Sequence, residues 1–329
     1  MKFQAFRVFK QDNGSVERKI VTMNTSELSE GEVLVKVVFS GLNYKDALCA
    51  KGHPGVAGKF PLTPGIDAAG EVVQSTNQQF KEGDKVLLTG YRLGMAMDGG
   101  FGEYIRVPAA WIVPLPKELS LRESMVYGTA GFTAALSVYR LTKAGQTPEM
   151  GPVLVTGAAG GVGSFAVLLL KKLGFEVIAG TSRLDDAHDT VVQLNADKHV
   201  DKNEIDDTSG RPLLKARWAG AVDVVGGNVL ATALKACKPW GNVTACGNIA
   251  SHELHTTVYP FILNGVSLLG IDSQNCPMPI RLELWQHLAE AWKVQTPGLV
   301  KEIPLEGLEE AIQRFLSKKN RGQVLLKHA

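Results

Sequence analysis

The sequence has few cysteines, and their arrangement excludes several kinds of protein. Only four occur in 329 residues, with no Cys-x-x-Cys pair and no Cys/His spacing typical of zinc ligands. They are Cys49, Cys237, Cys246 and Cys276. We therefore expect neither a disulfide-stapled fold nor a structural zinc, and the cysteine content favours the reducing cytoplasm.

Concentrated charge and long apolar runs are also missing. The 35 basic and 33 acidic residues are dispersed, and no basic stripe interleaved with aromatic residues predicts a nucleic-acid partner. The longest strongly apolar run, 165–170, is far shorter than the roughly 20 residues that span a bilayer. The opening segment MKFQAFRVFK lacks the apolar core of a secretory signal. We expect a cytoplasmic protein that binds neither nucleic acid nor membrane.

The length and the changing hydrophobic pattern predict two domains. At roughly 150 residues per domain, a chain of 329 residues contains about two. Residues 1–125 contain short β-branched segments such as EVLVKVVFS and GEYIRVP, bounded by Gly, Asp and Pro, with one short helix near Tyr44. From about residue 126, strand-like segments alternate with helix-like ones, which is typical of βαβ units and a parallel sheet. The final strand-like segment resembles the first half again.

The segment VLVTGAAGGVGS, residues 153–164, is the most informative in the chain. A glycine cluster between a strand and a helix lets backbone N–H groups approach a pyrophosphate, and the helix N-terminus adds partial positive charge. No Lys-Ser/Thr pair follows, as a P-loop requires. The Tyr-x-x-x-Lys pair that short-chain dehydrogenases carry downstream occurs only upstream, at Tyr139 and Lys143. A dinucleotide site is therefore favoured over a plain tight turn. The predicted contacts are Ala159, Gly160, Gly161 and Val162.

The end of the next strand indicates which dinucleotide binds. An NAD site places an acidic residue there, about 20 residues after the glycines, on the ribose 2′-hydroxyl. This chain instead has Gly180-Thr181-Ser182-Arg183. No carboxylate repels a 2′-phosphate, and Ser182 and Arg183 can bond one. We therefore predict NADPH, with Thr181, Ser182 and Arg183 among its contacts; the alternative is that Arg183 is a solvated residue that starts a helix.

The order of these segments resembles the medium-chain dehydrogenase/reductase superfamily. The resemblance implies an α/β fold, with a GroES-like β-rich catalytic domain at 1–126 and 273–329 and a Rossmann domain with a doubly wound parallel sheet at 127–272. Zinc-dependent members carry a cysteine ligand in a GxCxxD-like segment and a histidine in GHExxG. Here GLNYKD and PGIDAAG place Asn43 and Ile66 at those positions. Because zinc needs such thiolate or imidazole ligands, we expect no metal.

Seven segments, among them SGLNYKDAL, FPLTPGIDAAG and MVYGTAGFTAALSV, resemble the YhdH/YhfP group of this superfamily. Members are named quinone oxidoreductase or acrylyl-CoA reductase. The resemblance implies NADPH-dependent reduction of acryloyl-CoA to propanoyl-CoA by a homodimer. Reduction of a quinone or reactive enone is the alternative on the same fold, and a non-catalytic NADPH-binding protein is the alternative of another class. An acyl-CoA site predicts basic side chains at the cleft mouth, for which the candidates are Lys45, Lys51, Lys59 and Arg92.

Reduction of a C=C bond conjugated to a carbonyl forms an enolate, which needs a hydrogen-bond donor and then a proton. The resemblance places Tyr44 near the nicotinamide as such a donor; the alternative is a core tyrosine. Asn43 would orient the nicotinamide or the carbonyl, or else form a turn. Asp67 would tune protons, or else accept backbone N–H groups. The predicted catalytic residues are therefore Tyr44, Asn43 and Asp67.

Further cofactor contacts are predicted besides Tyr44. Small residues at 128–131 allow close approach to nicotinamide, and Thr129 either bonds its carboxamide or caps a helix. The segment Cys246-Gly247-Asn248 ends a strand at the sheet edge where dinucleotides lie, and Cys246 itself is expected to be inert. VSLLGIDS is predicted to be an edge strand that pairs with its copy in a homodimer. The remaining predicted contacts are Thr133, Gly247, Asn248, Ile271 and Ser273.

Overall fold

The computed structural model describes residues 1–181, 193–296, 298, 300–317 and 319–329. The chain divides into two compact units. The first comprises Met1–Thr129, Gln274–Glu290 and Gly298–Ala329, and the second comprises Ala130–Ser273 and Ala291–Pro297. Relative to the domain limits expected from sequence, residues 127–129 fall in the first unit, and residues 273 and 291–297 fall in the second.

Strands dominate the first part of the chain and alternate with helices further on. The strands are β1 (Lys2–Lys10), β2 (Val16–Asn24), β3 (Val33–Leu42), β4 (Asp67–Ser75), β5 (Lys85–Thr89), β6 (Tyr104–Val107), β7 (Val113–Pro114), β8 (Val153–Thr156), β9 (Val177–Thr181), β10 (Lys198–Asp201), β11 (Trp218–Asp223), β12 (Cys237–Ala245), β13 (Ser267–Gly270), β14 (Val300–Ile303) and β15 (Gln323–Lys327). The α-helices are α1 (Tyr44–Ala50), α2 (Leu121–Lys143), α3 (Gly161–Lys172), α4 (Gly227–Lys235), α5 (Tyr259–Asn264), α6 (Met278–Ala289) and α7 (Leu308–Leu316).

The first unit is built on a largely antiparallel sheet in the order β14-β15-β3-β4-β5-β7, with β6 also paired to β3. Val33, Val35 and Val37 of β3 point to one face of the sheet and are fully buried in a core shared with β4, β5 and β6. Leu34, on the opposite face, is buried as well. Because Phe39 pairs with Ala69, the end of β3 lies beside the start of β4. The sheet thereby places Asn43, just after β3, near Asp67, the first residue of β4.

The second unit contains a parallel sheet in the order β10-β9-β8-β11-β12-β13. Every residue of β8, β9 and β11 is buried, as expected for strands that lie inside a parallel sheet covered on both faces. In chain order within the unit, this is the 3-2-1-4-5-6 arrangement of a doubly wound Rossmann sheet, whose ligands bind where the order reverses. The reversal lies between β8 and β11. The predicted α/β fold is confirmed.

No helix in the described ranges is long and apolar enough to cross a membrane.

Candidate active site

Asp46 is a buried carboxylate that joins the start of α1 to the start of β4. Its Oδ1 accepts hydrogen bonds from the backbone N–H groups of Gly65 at 3.1 Å and Ile66 at 2.8 Å. Its Oδ2 accepts from the N–H of Asn43 at 2.8 Å, as the third helical residue of a capping box does. Asp46 was not among the residues predicted for the site, although the spacing Asn-Tyr-Lys-Asp is the signal of such a cap.

Asp67 accepts hydrogen bonds from two other residues predicted for the site, Asn43 and Thr129. Asn43 Nδ2 donates to Asp67 Oδ2 at 2.8 Å. Thr129 donates twice, from its N–H to Oδ2 at 2.8 Å and from its hydroxyl to Oδ1 at 2.6 Å. We call Asn43, Asp46, Asp67 and Thr129 the carboxylate cluster. The hydrogen bond from its amide nitrogen to Asp67 fixes the orientation of the Asn43 side chain.

The close approach of Asp67 requires glycine at two neighbouring positions. Gly128 interrupts α2 with φ 48° and ψ −153°, a conformation that side chains disfavour. A Cβ at Gly128 would lie 2.5 Å from Asp67 Oδ2, and one at Gly41 would lie 2.9 Å from the same atom. The interruption directs the N–H of Thr129 to Asp67 instead of continuing the helix.

The two carboxyl groups have unusual proton affinities. Burial, together with the nearby charge of Asp67, raises the pKa of Asp46 to about 7. Burial also raises the pKa of Asp67, while hydrogen bonds from Thr129 and Asn43 and the charge of Arg281 lower it. Within the carboxylate cluster, Asp46 therefore titrates near neutral pH.

Arg281 is a buried cation in α6 that the sequence analysis did not identify. Its guanidinium donates to the carbonyl oxygen and the hydroxyl of Thr89, both at 2.8 Å, and to the carbonyl oxygen of Gln274 at 3.1 Å. It also lies over the ring of Tyr91, 4.5 Å from the centroid. Thr89 is the cross-strand partner of Asp67. Arg281 thus places a positive charge beside the strand pair that carries Asp67.

Tyr44, the first residue of α1, has a side chain that solvent reaches. It is 40% exposed, whereas Asp46 and Ala47 in the same helix are fully buried. The adjacent Lys45 donates its ammonium to Gln274 Oε1 at 2.7 Å. Tyr44 is therefore the accessible hydrogen-bond donor next to the carboxylate cluster in sequence.

The donor atoms of the carboxylate cluster do not fit a zinc ion. Asn43 uses its amide nitrogen as a donor to Asp67, and Ile66 offers only a buried aliphatic side chain. Both carboxylates are occupied by N–H or O–H donors. Within the described ranges, no group of three or more His, Cys, Asp or Glu side chains is placed to hold a metal. Zinc prefers thiolate, imidazole and free carboxylate ligands.

The glycine turn of the second unit follows β8, at the point where the strand order reverses. Gly157 has φ 61°, and Cβ atoms at Gly163 would collide with the Gly157 carbonyl oxygen. Of the predicted contacts, Gly160 is exposed and Ala159, Gly161 and Val162 are half-buried. Their backbone is accessible at the first turn of α3, as a pyrophosphate site requires.

The next predicted contacts follow β9. Thr181 ends that strand and is buried. Ser182 and Arg183 lie outside the described residues.

Asp223 is the last residue of β11. It accepts hydrogen bonds from the end of β8 and from the turn after β11, the two strands between which the strand order reverses. Thr156 Oγ1 donates to Asp223 Oδ1 at 2.7 Å, and the N–H of Gly226 donates to Oδ2 at 2.7 Å. Burial raises the pKa of Asp223 to about 6. Asp223 was not among the residues predicted from the sequence, although a carboxylate at the end of an apolar strand is a visible signal.

Gly247 and Asn248 lie against the turn that follows β11. The N–H of Cys246 donates to the Asp223 carbonyl oxygen at 3.0 Å, and a Cβ at Gly247 would collide with the carbonyl oxygen of Val224. Burial raises the pKa of the Cys246 thiol to about 12. A thiol that stays protonated is a poor nucleophile, which agrees with the inert role expected for Cys246.

The last predicted contacts lie around the end of β13 and on α2. The N–H of Ile271 donates to the carbonyl oxygen of Ala245 at 3.1 Å. Thr133 donates its hydroxyl to Ser273 Oγ at 2.8 Å. The structure therefore brings Thr133 and Ser273 together, 140 residues apart in sequence.

Two family profiles match the chain, "Alcohol dehydrogenase GroES-like domain" at residues 29–117 and "Zinc-binding dehydrogenase" at residues 161–290. The chain is 46% identical over 328 residues to YhfP of Bacillus subtilis, whose name assigns it provisionally to the quinone oxidoreductases; the match covers 99% of this chain and 98% of YhfP. It is 44% identical over 312 residues to the acrylyl-CoA reductase AcuI of Ruegeria pomeroyi, covering 94% and 91%.

Two solved structures extend this similarity. The yhdH oxidoreductase of Salmonella enterica in complex with NADP has a TM-score of 0.93 and 41% identity, with 98% of this chain and 99% of that chain covered. YhfP of Bacillus subtilis with NAD bound has a TM-score of 0.96 and 45% identity, with 99% of each chain covered. The chain belongs to the medium-chain dehydrogenase/reductases. Within that family it is similar, over nearly its whole length, to YhfP, AcuI and YhdH, so the resemblance drawn from its motifs is confirmed.

Proposed function

We propose that this protein reduces the C=C bond of a short 2-enoyl-CoA, with acryloyl-CoA as substrate and propanoyl-CoA as product. The carboxylate cluster carries the proposal. Amide, hydroxyl and backbone donors surround Asp67, and Asn43 and Ile66 stand where the family motifs of zinc-dependent members have metal ligands. The similarity to AcuI over 94% of the chain supports the substrate. The four cysteines are free thiols, which suits the cytoplasm as the location of this activity.

The glycine turn after β8 fits a dinucleotide, and we propose NADPH. The backbone of Ala159, Gly160, Gly161 and Val162 would hold the pyrophosphate at the first turn of α3, and Ser182 and Arg183 would hold the 2′-phosphate. When bound, NADPH supplies the hydride. The NADP complex of the Salmonella enterica relative supports this choice; the Bacillus subtilis relative was solved with NAD bound.

The residues of the first unit would stabilise the charge that develops on the substrate. Reduction at the β-carbon leaves negative charge on the thioester oxygen, and a positioned donor there lowers the barrier. Tyr44 is the accessible O–H donor. Asp67 accepts three hydrogen bonds from Asn43 and Thr129, so its role is to orient these two residues.

The test measures loss of NADPH absorbance with acryloyl-CoA, crotonoyl-CoA and 1,4-benzoquinone, using the wild type and Tyr44→Phe. We expect efficient turnover of acryloyl-CoA and a kcat roughly 100-fold lower in Tyr44→Phe, the cost of one lost donor to a developing oxyanion. Tyr104→Phe is the control, since Tyr104 lies on β6 and packs edge-on against Phe3. Its kcat should match the wild type.

Quinone reduction is the second candidate, favoured by the name of YhfP. Turnover of benzoquinone without turnover of either enoyl-CoA would replace the proposed substrate with a quinone. If none of these substrates is reduced, the alternative of a non-catalytic NADPH-binding protein would stand.

We further propose that two copies form a homodimer through β13. This strand lies at the edge of the parallel sheet, paired to β12, with no second partner strand in the described part of the chain. Large apolar side chains around it are open to solvent, with Trp240 78%, Ile262 68% and Leu268 36% exposed. An edge strand flanked by apolar surface is a liability unless another chain covers it.

A further inference from the structure

We infer that the first unit carries a phosphate-binding surface for the nucleotide end of coenzyme A, formed by Lys51, Lys59 and Arg92. We call these three residues the basic surface. This inference rests on the proposed function and names the part of the substrate that the carboxylate cluster does not contact.

The basic surface is formed by two loops that touch. The N–H of Gly58 donates to the carbonyl oxygen of Met95 at 2.7 Å, and the thiol of Cys49 donates to the carbonyl oxygen of Gly94 at 3.2 Å. Residues 92–97 form a compact turn, in which the N–H of Ala96 donates to the carbonyl oxygen of Arg92 at 3.0 Å. The loop that carries Lys51 and Lys59 is therefore packed against the loop that carries Arg92.

The charge on these loops has one sign. Lys51, Lys59 and Arg92 are exposed, and segments 47–66 and 85–97 contain no Asp or Glu. The side chains of Lys51 and Arg92 make no hydrogen bond or ion pair with any described residue. Lys59 donates to the hydroxyl of Ser29 at 3.3 Å, and the exposed Glu30 follows Ser29 in the chain. The charges of Lys51 and Arg92 are thus not neutralised by an ion pair with any described residue.

Acidic side chains of the adjoining strands lie away from this surface. In the antiparallel pair of β4 and β5, Asp67 is opposite Thr89 and Glu71 is opposite Lys85. Glu71 and the acidic residues of the β4–β5 turn, Glu82 and Asp84, therefore lie toward the far end of the strand pair. The loops carrying the basic surface adjoin the end that holds Asp67. This asymmetry attracts an anion to the same end as the carboxylate cluster.

Helix α1 sets the spacing between the two sites. It begins at Tyr44, and its C-cap is Lys51; its seven residues rise about 10 Å. Asp46 fixes this helix to the start of β4 through Gly65 and Ile66. The pantetheine arm of coenzyme A extends well beyond this distance. Lys45, which the sequence also suggested as one of these cations, instead donates to Gln274.

The ligand class follows from the chemistry of the three cations. Lysine ammonium and arginine guanidinium groups bind phosphate through charge-assisted hydrogen bonds. Coenzyme A carries a diphosphate and a 3′-phosphate at the end of its arm, whereas a quinone carries no phosphate. An exposed positive surface one helix length from Tyr44 matches a coenzyme A thioester.

The test compares acryloyl-CoA with acryloyl-pantetheine, which has the same reacting thioester without the phosphates. The variant is Lys51→Ala/Lys59→Ala/Arg92→Ala. We expect the preference for acryloyl-CoA, measured as the ratio of the two kcat/KM values, to fall roughly tenfold. Added salt should lower the same ratio in the wild type, because exposed charge pairs are screened. The matched control, Lys10→Ala/Lys81→Ala/Lys301→Ala, removes three exposed charges of the first unit elsewhere and should keep the wild-type ratio.

Binding of free coenzyme A, measured by calorimetry, separates this inference from the proposed function. If the wild type turns over neither thioester, yet binds coenzyme A at least tenfold more tightly than the triple variant, the proposed reaction is wrong and the phosphate-binding surface stands. If the triple variant keeps the wild-type ratio and affinity, or the control loses them equally, the inference is wrong whatever the reaction.

Discussion

Asp46 and Asp67 are both buried, and each accepts three hydrogen bonds through its carboxyl oxygens. N–H and O–H donors favour the ionised form, while burial opposes it. For Asp46 burial prevails and raises its pKa to about 7. This residue therefore links the stability of the first unit to pH, because ionising it in the fold costs more than ionising it in the unfolded chain.

We predict that Asp46→Asn flattens the dependence of stability on pH. The pKa of Asp46 is about 7 in the fold against an ordinary value of 3.8, so between these values the folded protein holds the extra proton. The free energy of unfolding should then fall as pH rises from about 4 to about 7, by up to about 4 kcal/mol from this group. Urea unfolding across this pH range measures the slope. Equal slopes in Asp46→Asn and the wild type would contradict the prediction.

A second residue-scale prediction concerns the cofactor. If Arg183 bonds the 2′-phosphate, Arg183→Ala should weaken NADPH binding roughly tenfold, about the loss of one charge-assisted hydrogen bond. NADH lacks that phosphate, so its affinity should change little. Fluorescence titration with each cofactor measures both constants. Equal weakening of NADPH and NADH would show that the 2′-phosphate assignment is wrong.

At the scale of elements, α2 contributes Thr129 to the carboxylate cluster because its helical conformation is interrupted at Gly128. A continuous helix would direct the N–H of Thr129 to a carbonyl group one turn earlier. The conformation of Gly128 frees it, and Asp67 accepts it at 2.8 Å. The position of Thr129 therefore depends on a single glycine.

We predict that Gly128→Ala destabilises the protein by roughly 2–4 kcal/mol, since it combines backbone strain with a steric clash. Its Cβ would lie 2.5 Å from a carboxylate that hydrogen bonds hold in place. Gly174→Ala is the control, because Gly174 also has a positive φ, 83°, but open space around it; strain alone should cost about 1 kcal/mol. Thermal and urea unfolding of both variants test this difference. Equal costs would mean that contact with Asp67 is unimportant.

At the scale of the whole molecule, β13 is an edge strand of the parallel sheet, and no described strand pairs with its outer side. The exposed apolar side chains beside β13 belong to α5 and to the β12 segment that carries Trp240, which has φ 64°. A Cβ at Gly265 would lie 3.2 Å from the Trp240 ring, so this ring lies beside the C-cap of α5. The arrangement presents a preformed apolar face next to a free strand edge, which suits a symmetric partner.

We predict that Leu268→Arg converts the protein from dimer to monomer. The substitution places a charge at the proposed interface, where it would be buried without a partner. Light scattering coupled to size-exclusion chromatography measures the mass, which should be twice the chain mass in the wild type. Leu282→Arg is the control, because Leu282 is 43% exposed on α6 in the first unit. A monomeric wild type, or a variant that remains dimeric, would contradict the prediction.

The sequence by itself determined the features that depend on neighbours along the chain. The glycine turn at 157–163 is recognisable because strand, turn and helix follow one another directly in the chain. Beyond residue 126, strand-like and helix-like segments alternate, which indicates strands covered by helices on both faces. The replacement of zinc ligands by Asn43 and Ile66 is likewise visible within two short motifs. These signals were sufficient for the family and the fold.

Tertiary structure alone decided how the site is assembled and charged. Asn43 and Thr129 lie 24 and 62 residues from Asp67, and only the pairing of β3 with β4 and the interruption of α2 bring them together. The proton affinities of Asp46 and Asp223 and the placement of Arg281 were invisible in the sequence. The physical reason is that a pKa depends on burial and on charges close in space, neither of which is a property of residues adjacent in the chain.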